Sequence, residues 1–355
     1  MSDKSISRRG VLAGGAVAGA LAASRGAHAA ATGPQTACAG PRTLPPPTDI
    51  SAAAQSYLRR GAALPPPLPI PAVDDKAGWH AYVAASEEAV PVDVLMKLPV
   101  DAETRTIGGA TCHVLTPRKI APEDRNKIHL SIHGGGWILF GGKAALALGK
   151  LTAMEHQVVT YVVDYRMPPD HPFPAGLDDC FAVYADLVKR HDPSDILVSG
   201  GSAGGNLAAA LMLKVRDQGL PKPAALVLET PVTDLTNAGD SWTVLDGLDP
   251  VLRDPGGVGS TALYLNGNDP RTPYLSPLFG KLDDAFPPTH LVTGTRDRLL
   301  SDTVRMHAAL RAANVPADLF VMEAMPHAGF GGMAPEEGVI RKDTRKWLQK
   351  YWHRT

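Results

Sequence analysis

This sequence of 355 residues contains few cysteines and few aromatic residues, and it has almost no excess of charge of either sign. Aromatic residues make up 6% of the chain, and the formal net charge is −1. The three cysteines, Cys38, Cys112 and Cys180, match no zinc-binding spacing. The pattern favours isolated buried thiols, and a bond between Cys112 and Cys180 is the alternative. No basic face is indicated, so we expect no nucleic-acid partner.

Beyond its N-terminus, the sequence also lacks an apolar run of the ~18 residues that a membrane span requires. The N-terminus carries Arg8-Arg9, a mildly apolar stretch and the small-x-small sequence Ala27-His28-Ala29. Together these features are typical of a twin-arginine (Tat) export signal. We therefore expect residues 1–29 to be a Tat-type signal, and the mature protein to be periplasmic or secreted without a stable membrane anchor. A Sec signal and a disordered basic tail are the alternatives.

Proline and glycine divide the remaining chain into regions of different character. Residues 30–104 contain LPPPTDI and LPPPLPIP, and we interpret them as a leader and N-terminal cap segment with a short helix in AGWHAYVAASEEA. In residues 105–355, apolar runs of strand length alternate with helical periodicity. This predicts an α/β fold, with a mostly parallel sheet between helices. The alternation stops at about 235–275, which predicts an inserted cap.

One serine lies among glycines and alanines where a strand passes into a helix, in LVSGGSAGGNLA (197–208). The segment Gly200-Gly201-Ser202-Ala203-Gly204 fits the pattern G-x-S-x-G. A sharp strand-to-helix turn exposes the hydroxyl, and small flanking residues leave room for it. We therefore predict that Ser202 is a nucleophile.

A serine nucleophile needs a base, and the base needs an orienting acid. The strand predicted in PPTHLVTGT ends at Asp297, and the strand in ADLFVMEAMP ends at His327. These residues follow Ser202 in the order nucleophile, acid, base, which is the order found in α/β-hydrolases. We predict the triad Ser202, Asp297 and His327, with Asp302 as the alternative acid.

The second glycine cluster, HGGGW (133–137), follows the strand predicted in KIHLSI. Glycines let backbone N–H groups approach a developing oxyanion. We expect the N–H groups of Gly134, Gly135 and Ala203 to form the oxyanion hole. We expect His133 and Gly136 to support this loop, and Gly200 and Gly204 to support the serine turn.

Six motifs in order, HGGGW, VDYRMPPDHPFPAGLDD, GGSAGGNLA, PVTDLT, GTRDRLLSD and MPHAGF, resemble those of the bacterial hormone-sensitive-lipase-like esterases (family IV). The resemblance covers roughly residues 105–350. It implies an α/β-hydrolase core with a helical cap, hydrolysis of carboxylic esters, and neither a cofactor nor a metal. It also implies that Asp164 and Arg166 support the oxyanion loop. Trp137, Gly201 and Phe330 are expected to line the substrate pocket.

The sequence departs from this family at two places. Gly201 stands where the family usually has aspartate, so we expect the pocket beside the nucleophile to be roomier and less negative. Ala328 separates His327 from the glycine and phenylalanine that usually follow the base directly, which leaves the conformation of that loop open.

The expected function is a serine carboxylesterase that acts on short- to medium-chain esters through an acyl-enzyme. A lactone hydrolase or an acyltransferase with the same triad is the alternative, and a non-catalytic protein that binds a small ligand is an alternative of another class. A nucleotide site is excluded, since no G-x-G-x-x-G follows a strand. The expected partner is a small ester, and a homodimer stays open.

Overall fold

The computed structural model describes residues 44–64, 67–253 and 258–352, and these ranges contain one eight-stranded sheet. Its spatial order is β1-β2-β4-β3-β5-β6-β7-β8. Strands β3 to β8 pair in parallel, and β2 pairs antiparallel with both β1 and β4. The strands are β1 Val100–Ile107, β2 Ala110–Pro117, β3 Ile128–Ile132, β4 Val159–Val163, β5 Ile196–Gly201, β6 Ala225–Glu229, β7 Thr289–Gly294 and β8 Ala317–Met322.

Helices cover both faces of this sheet, as the continuous apolar runs of the inner strands require. The helices α5, α6 and α9 share one core cluster with β3, and the helices α4 and α10 pack against the opposite face. The prediction of an α/β fold with a mostly parallel sheet between helices is confirmed. The α-helices of the described ranges are α1 Ala52–Ala62, α2 Lys76–Glu87, α3 Val92–Leu95, α4 Lys143–His156, α5 Ala175–Leu187, α6 Ala203–Asp217, α7 Asp240–Val244, α8 Val258–Leu265, α9 Leu300–Ala312 and α10 Glu336–Tyr351.

The segment before the sheet packs over the end at which the parallel strands terminate. Asp75 caps α2 by accepting a hydrogen bond from the backbone N–H of Gly78. On α2, the buried Trp79 packs against Ile138, which follows the glycine loop, and against Leu263 of α8. Aromatic burial of this kind stabilises a contact by several kcal/mol, roughly 3 or more. The N-terminal segment is therefore anchored beside the predicted site.

Two features of the fold, the start of β1 and the presence of helix α4, differ from the sequence-based expectation. The predicted boundary between residues 104 and 105 falls inside β1, which begins at Val100. Six of the eight residues of β1 are exposed, so the strand lacks the apolar run by which the other strands are recognised. Helix α4 was also not expected. The segment predicted as an inserted cap, about 235–275, contains α7 and α8.

The cysteines Cys112 and Cys180 are both buried and free. Cys38 and the predicted signal, residues 1–29, lie outside the described residues. None of the helices in the described ranges combines the length and the apolar content that a bilayer span requires.

Candidate active site

Ser202 lies at the sharp turn between β5 and α6, with backbone angles of φ 54° and ψ −123°. A non-glycine residue in this region is strained and is held there by its surroundings. The two glycines that flank the turn have no room for a side chain. A Cβ at Gly200 would lie 2.2 Å from the Gly204 carbonyl oxygen, and one at Gly204 would lie 2.1 Å from the Ile132 carbonyl oxygen. Gly200 is therefore required by the turn itself, and Gly204 by the close approach of the end of β3.

The structure brings the three predicted catalytic side chains together. The Oγ atom of Ser202 is 2.8 Å from Nε2 of His327, and Nδ1 of His327 is 3.0 Å from Oδ1 of Asp297. Asp297 is fully buried, and its Oδ2 atom accepts a hydrogen bond of 2.7 Å from the Thr293 hydroxyl. Burial lowers the pKa of His327, but the hydrogen bond and charge of Asp297 outweigh it, so the net shift is upward. This arrangement fits a base oriented by an acid.

Asp302, the alternative acid, lies elsewhere. Its Oδ2 atom accepts hydrogen bonds from the backbone N–H groups of Thr233 and Asp234, at 2.8 and 2.9 Å. It therefore fixes the chain after β6 to the start of α9.

The glycine loop lies directly against the nucleophile. A Cβ at Gly134 would lie 2.8 Å from the Gly201 carbonyl oxygen and 3.3 Å from the Ser202 Cβ. Gly135 and Gly136 have φ values of 98° and 58°, in the left-handed region that favours glycine. Ala203 is the first residue of α6, at the positive end of the helix dipole. The three expected oxyanion donors thus lie on the two chain segments that meet at Ser202.

A tyrosine that the sequence analysis did not single out holds this loop. The phenol of Tyr165 donates a hydrogen bond of 3.0 Å to the His133 carbonyl oxygen. The rings of Tyr165 and His133 stack with centroids 4.2 Å apart. The Nδ1 atom of His133 lies 2.9 Å from the Gly134 carbonyl oxygen. Burial lowers the pKa of His133 to about 4, so the ring is neutral at ordinary pH.

Asp164 and Arg166, expected to support the oxyanion loop, make their contacts with other elements. The Oδ1 atom of Asp164 accepts a hydrogen bond of 2.8 Å from the backbone N–H of Gly142, at the start of α4. The guanidinium of Arg166 forms a bidentate pair with Asp179 of α5, with its shortest contact at 2.8 Å. Because the two residues fix the DYR segment on both sides, they position the tyrosine between them.

A cavity of about 860 Å³ opens at the triad. Its wall includes Ser202, Gly201 and His327, the three loop glycines and side chains of the N-terminal segment such as Tyr82. A volume of this size suits a small organic substrate.

Two residues expected in the pocket do not line it. Trp137 has a φ of 62°, is buried, and stacks on Tyr264 with centroids 4.5 Å apart. Phe330 is fully buried and meets Tyr57 edge to face. Both expectations were wrong, because both rings belong to the packed core. Neighbouring residues line the cavity instead: Ile138, Leu139, Phe140, Ala328 and Gly329.

Gly201 lines the cavity as expected, and an acidic side chain of the neighbouring strand lies beside it. A Cβ at this position would meet nothing closer than 3.6 Å, so the space is indeed roomy. However, Gly201 pairs in register with Glu229 of β6, whose side chain lines the same cavity. Burial, reinforced by the charge of Glu155, raises the pKa of Glu229 to about 7. An acidic group is therefore supplied from the neighbouring strand.

Asp249 is a further buried carboxylate at the site that sequence reasoning missed. Its Oδ2 atom accepts hydrogen bonds from the backbone N–H groups of Arg298 and His327, at 3.1 and 3.3 Å. Its Oδ1 atom accepts one of 2.9 Å from the N–H of Val251. Burial raises the pKa of Asp249, and the nearby His327 opposes this rise. An aspartate before a proline usually indicates a turn, so the sequence carried no signal of this role.

Across the described ranges, His, Cys, Asp and Glu side chains form no group of three that could hold a metal ion.

Comparison with known proteins gives the class. A family model described as the alpha/beta hydrolase fold matches residues 129–330. An esterase from Acinetobacter venetianus is 36% identical over 186 residues, which are 52% of this chain and 61% of that protein. The present chain therefore spans less than two thirds of that relative. It belongs to the α/β-hydrolase family.

The similar structures narrow this class further. The crystal structure of esterase E25 has a TM-score of 0.81 and 35% sequence identity, covering 89% of this chain and 99% of that one. An esterase described as from the bacterial hormone-sensitive lipase family has a TM-score of 0.70 and 28% identity, covering 85% and 99%. Within the α/β-hydrolases, the chain is a member of the hormone-sensitive-lipase-like esterases.

Proposed function

We propose that this chain is a serine carboxylesterase that hydrolyses short- to medium-chain carboxylic esters. The observation that carries the proposal is the continuous hydrogen-bonded line from Ser202 through His327 to Asp297, with contacts of 2.8 and 3.0 Å. The cavity beside the serine and the esterase relatives support the same activity.

In the first half-reaction, His327 removes the hydroxyl proton of Ser202, and Oγ attacks the ester carbonyl carbon. The N–H groups of Gly134, Gly135 and Ala203 stabilise the oxyanion. Buried Asp297 stabilises the imidazolium and fixes its orientation. When the tetrahedral intermediate collapses, the alcohol leaves with the proton held by His327.

In the second half-reaction, His327 takes a proton from water, and the resulting hydroxide attacks the acyl-enzyme carbonyl. The same oxyanion donors act again, and Ser202 leaves with the proton. A lactone or an acceptor alcohol could replace the ester or the water with the same groups. A panel of aryl esters of increasing chain length, with lactones and alcohol acceptors, separates these reactions.

We expect Ser202→Ala to reduce kcat/KM for an aryl ester at least about a thousandfold, because the remaining site retains only the oxyanion donors. The measurement is initial-rate hydrolysis, with circular dichroism to show an intact fold. Ser194→Ala, a serine in the short turn Pro193–Asp195 before β5, is the matched control and should retain wild-type activity. A Ser202→Ala enzyme with a tenth of wild-type activity would place the nucleophile elsewhere and contradict the proposal.

We also propose that the protein is exported by the twin-arginine route, on the strength of Arg8-Arg9 and Ala27-His28-Ala29. Replacing both arginines by lysine should leave the precursor in the cytoplasm, as measured by esterase activity in cell fractions. Lys4→Arg, a conservative change outside the pair, is the control. Unchanged periplasmic activity in the double variant would exclude this route.

A further inference from the structure

Glu229 is fixed beside the nucleophile by the sheet. It is the last residue of β6, and it pairs with Gly201, the residue before Ser202. The backbone N–H of Ser202 donates a hydrogen bond of 2.9 Å to the Glu229 carbonyl oxygen. The distance between the nucleophile and the start of the Glu229 side chain is therefore set by backbone pairing.

The carboxyl group of Glu229 faces the cavity without a partner. Its side chain lines the cavity that contains Ser202, and in the described ranges it makes no hydrogen bond or ion pair. Gly201 has no side chain to cover it. A Cβ there would lie 3.9 Å from the Glu229 Cβ, so any larger residue at 201 would begin to fill the space in front of the carboxyl.

The other charged groups on the cavity wall leave Glu229 without a counter-ion. Helix α4 contributes Glu155 and His156, and helix α10 contributes Glu337 and Arg341. Arg253 also lines the cavity, and its guanidinium donates a hydrogen bond of 3.2 Å to the Leu64 carbonyl oxygen. Glu337 accepts hydrogen bonds from backbone N–H groups of the loop after His327. The charge of Arg341 acts on Glu155, whereas the charge that acts on Glu229 is that of Glu155 itself. The field at Glu229 is therefore negative.

From this geometry, we propose that Glu229 forms a subsite for a cationic nitrogen carried on one arm of the ester substrate. The inference rests on the proposed esterase function and names a substrate class for it. The Glu229 side chain is exposed to the cavity and lies in the field of the like charge of Glu155, and a bound cation would offset that repulsion. The space above Gly201 gives the arm a path from Ser202 to Glu229.

The test compares two esters that differ only in charge. One is 4-nitrophenyl 4-(trimethylammonio)butyrate, and the other is its carbon isostere, 4-nitrophenyl 5,5-dimethylhexanoate. The quantity measured is the ratio of kcat/KM for the cationic ester to that for the neutral ester. Because both esters use the same triad, the titration of His327 cancels in this ratio.

At about pH 8.5, where Glu229 is ionised, we expect Glu229→Gln to lower this ratio about tenfold. Glu88→Gln, the same change at an exposed position of the N-terminal segment, should leave the ratio unchanged. In the wild-type enzyme the ratio should also rise about tenfold between about pH 5.5 and 8.5, as Glu229 ionises. This second measurement does not depend on how well the variant folds.

A ratio that is the same in wild type and Glu229→Gln at the higher pH would overturn the subsite, as would a wild-type ratio that is flat with pH. Failure of the folded wild-type enzyme to hydrolyse the neutral ester is a different result. It would overturn the proposed esterase function, and with it the assignment of the subsite to an ester.

Discussion

Gly134 and Gly201 both lie beside Ser202, but the structure requires glycine at only one of them. A Cβ at Gly134 would lie 2.8 Å from the Gly201 carbonyl oxygen, whereas a Cβ at Gly201 would meet nothing closer than 3.6 Å. Real Cβ atoms do not approach backbone so closely, so the glycine loop would have to move away from the nucleophile. Two of the three expected oxyanion donors, the N–H groups of Gly134 and Gly135, belong to this loop, so their placement depends on the absence of a side chain at Gly134.

We expect Gly134→Ala to lower kcat about a hundredfold, which corresponds to roughly 2.7 kcal/mol of lost transition-state stabilisation. Gly201→Ala is the matched control, since it adds the same methyl group beside the same serine where space exists, and it should stay within about threefold of wild type. Steady-state kinetics with a neutral aryl ester decide the matter. Equal losses in the two variants would show that loop displacement is not the cause.

At the scale of elements, the segment after α7 is tied to the catalytic loops through Asp249. This one carboxylate accepts backbone N–H groups from its own loop, from the turn after β7 and from the turn after β8. Its negative charge also raises the pKa of His327. The inserted segment therefore contributes directly to the position and the pKa of His327.

We expect Asp249→Asn to move the acidic limb of the kcat/KM–pH profile to lower pH. Loss of the carboxylate destabilises the imidazolium, so the pKa of His327 falls and the base stays neutral at lower pH. At the plateau, kcat/KM should fall about tenfold because the amide cannot accept all of these N–H groups. Asp240→Asn, an exposed aspartate at the start of α7 in the same segment, should leave the profile unchanged. An acidic limb that does not move in Asp249→Asn would contradict the charge coupling.

The elements that the sequence revealed most plainly are the strands buried on both faces. Strands β5, β6 and β7 are continuous apolar runs, and the serine and aspartate motifs follow the ends of β5 and β7. The histidine motif follows the half-buried edge strand β8. Strand β1 was missed because it is mostly exposed. The pairing of Gly201 with Glu229 was missed for another reason. It depends on the register of β5 and β6, and the two residues lie in different sequence motifs. Trp137 turns away from the cavity into the core, with a φ of 62°, and this is likewise a backbone property that the motif does not encode.

At the scale of the whole molecule, the acidic group in the cavity lowers the free energy of unfolding at high pH. Burial and Glu155 raise the pKa of Glu229 to about 7 in the folded state, above its ordinary value of 4.5. A carboxyl with a raised folded pKa destabilises the fold as pH rises between these two values. The penalty is absent when Glu229 is protonated and complete above its folded pKa.

Because the Glu229 side chain is exposed to the cavity, solvent screens part of this cost. We expect Glu229→Gln to unfold at a temperature about 1 °C higher than wild type at about pH 8.5, while the two proteins have the same Tm at about pH 4. Differential scanning calorimetry at the two pH values measures this. Glu88→Gln should track wild type at both. A Tm difference that does not change with pH would mean that the glutamine acts through packing and not through charge.

The backbone of Ser202 has a consequence for how this chain can change over generations. Its φ of 54° and ψ of −123° cost about 1–3 kcal/mol for a residue with a side chain and far less for glycine. Selection for heat resistance alone would therefore replace the serine by glycine and lose the nucleophile. Retention of serine at this turn depends on selection for turnover, and stabilising substitutions must accumulate elsewhere in the chain to offset its cost.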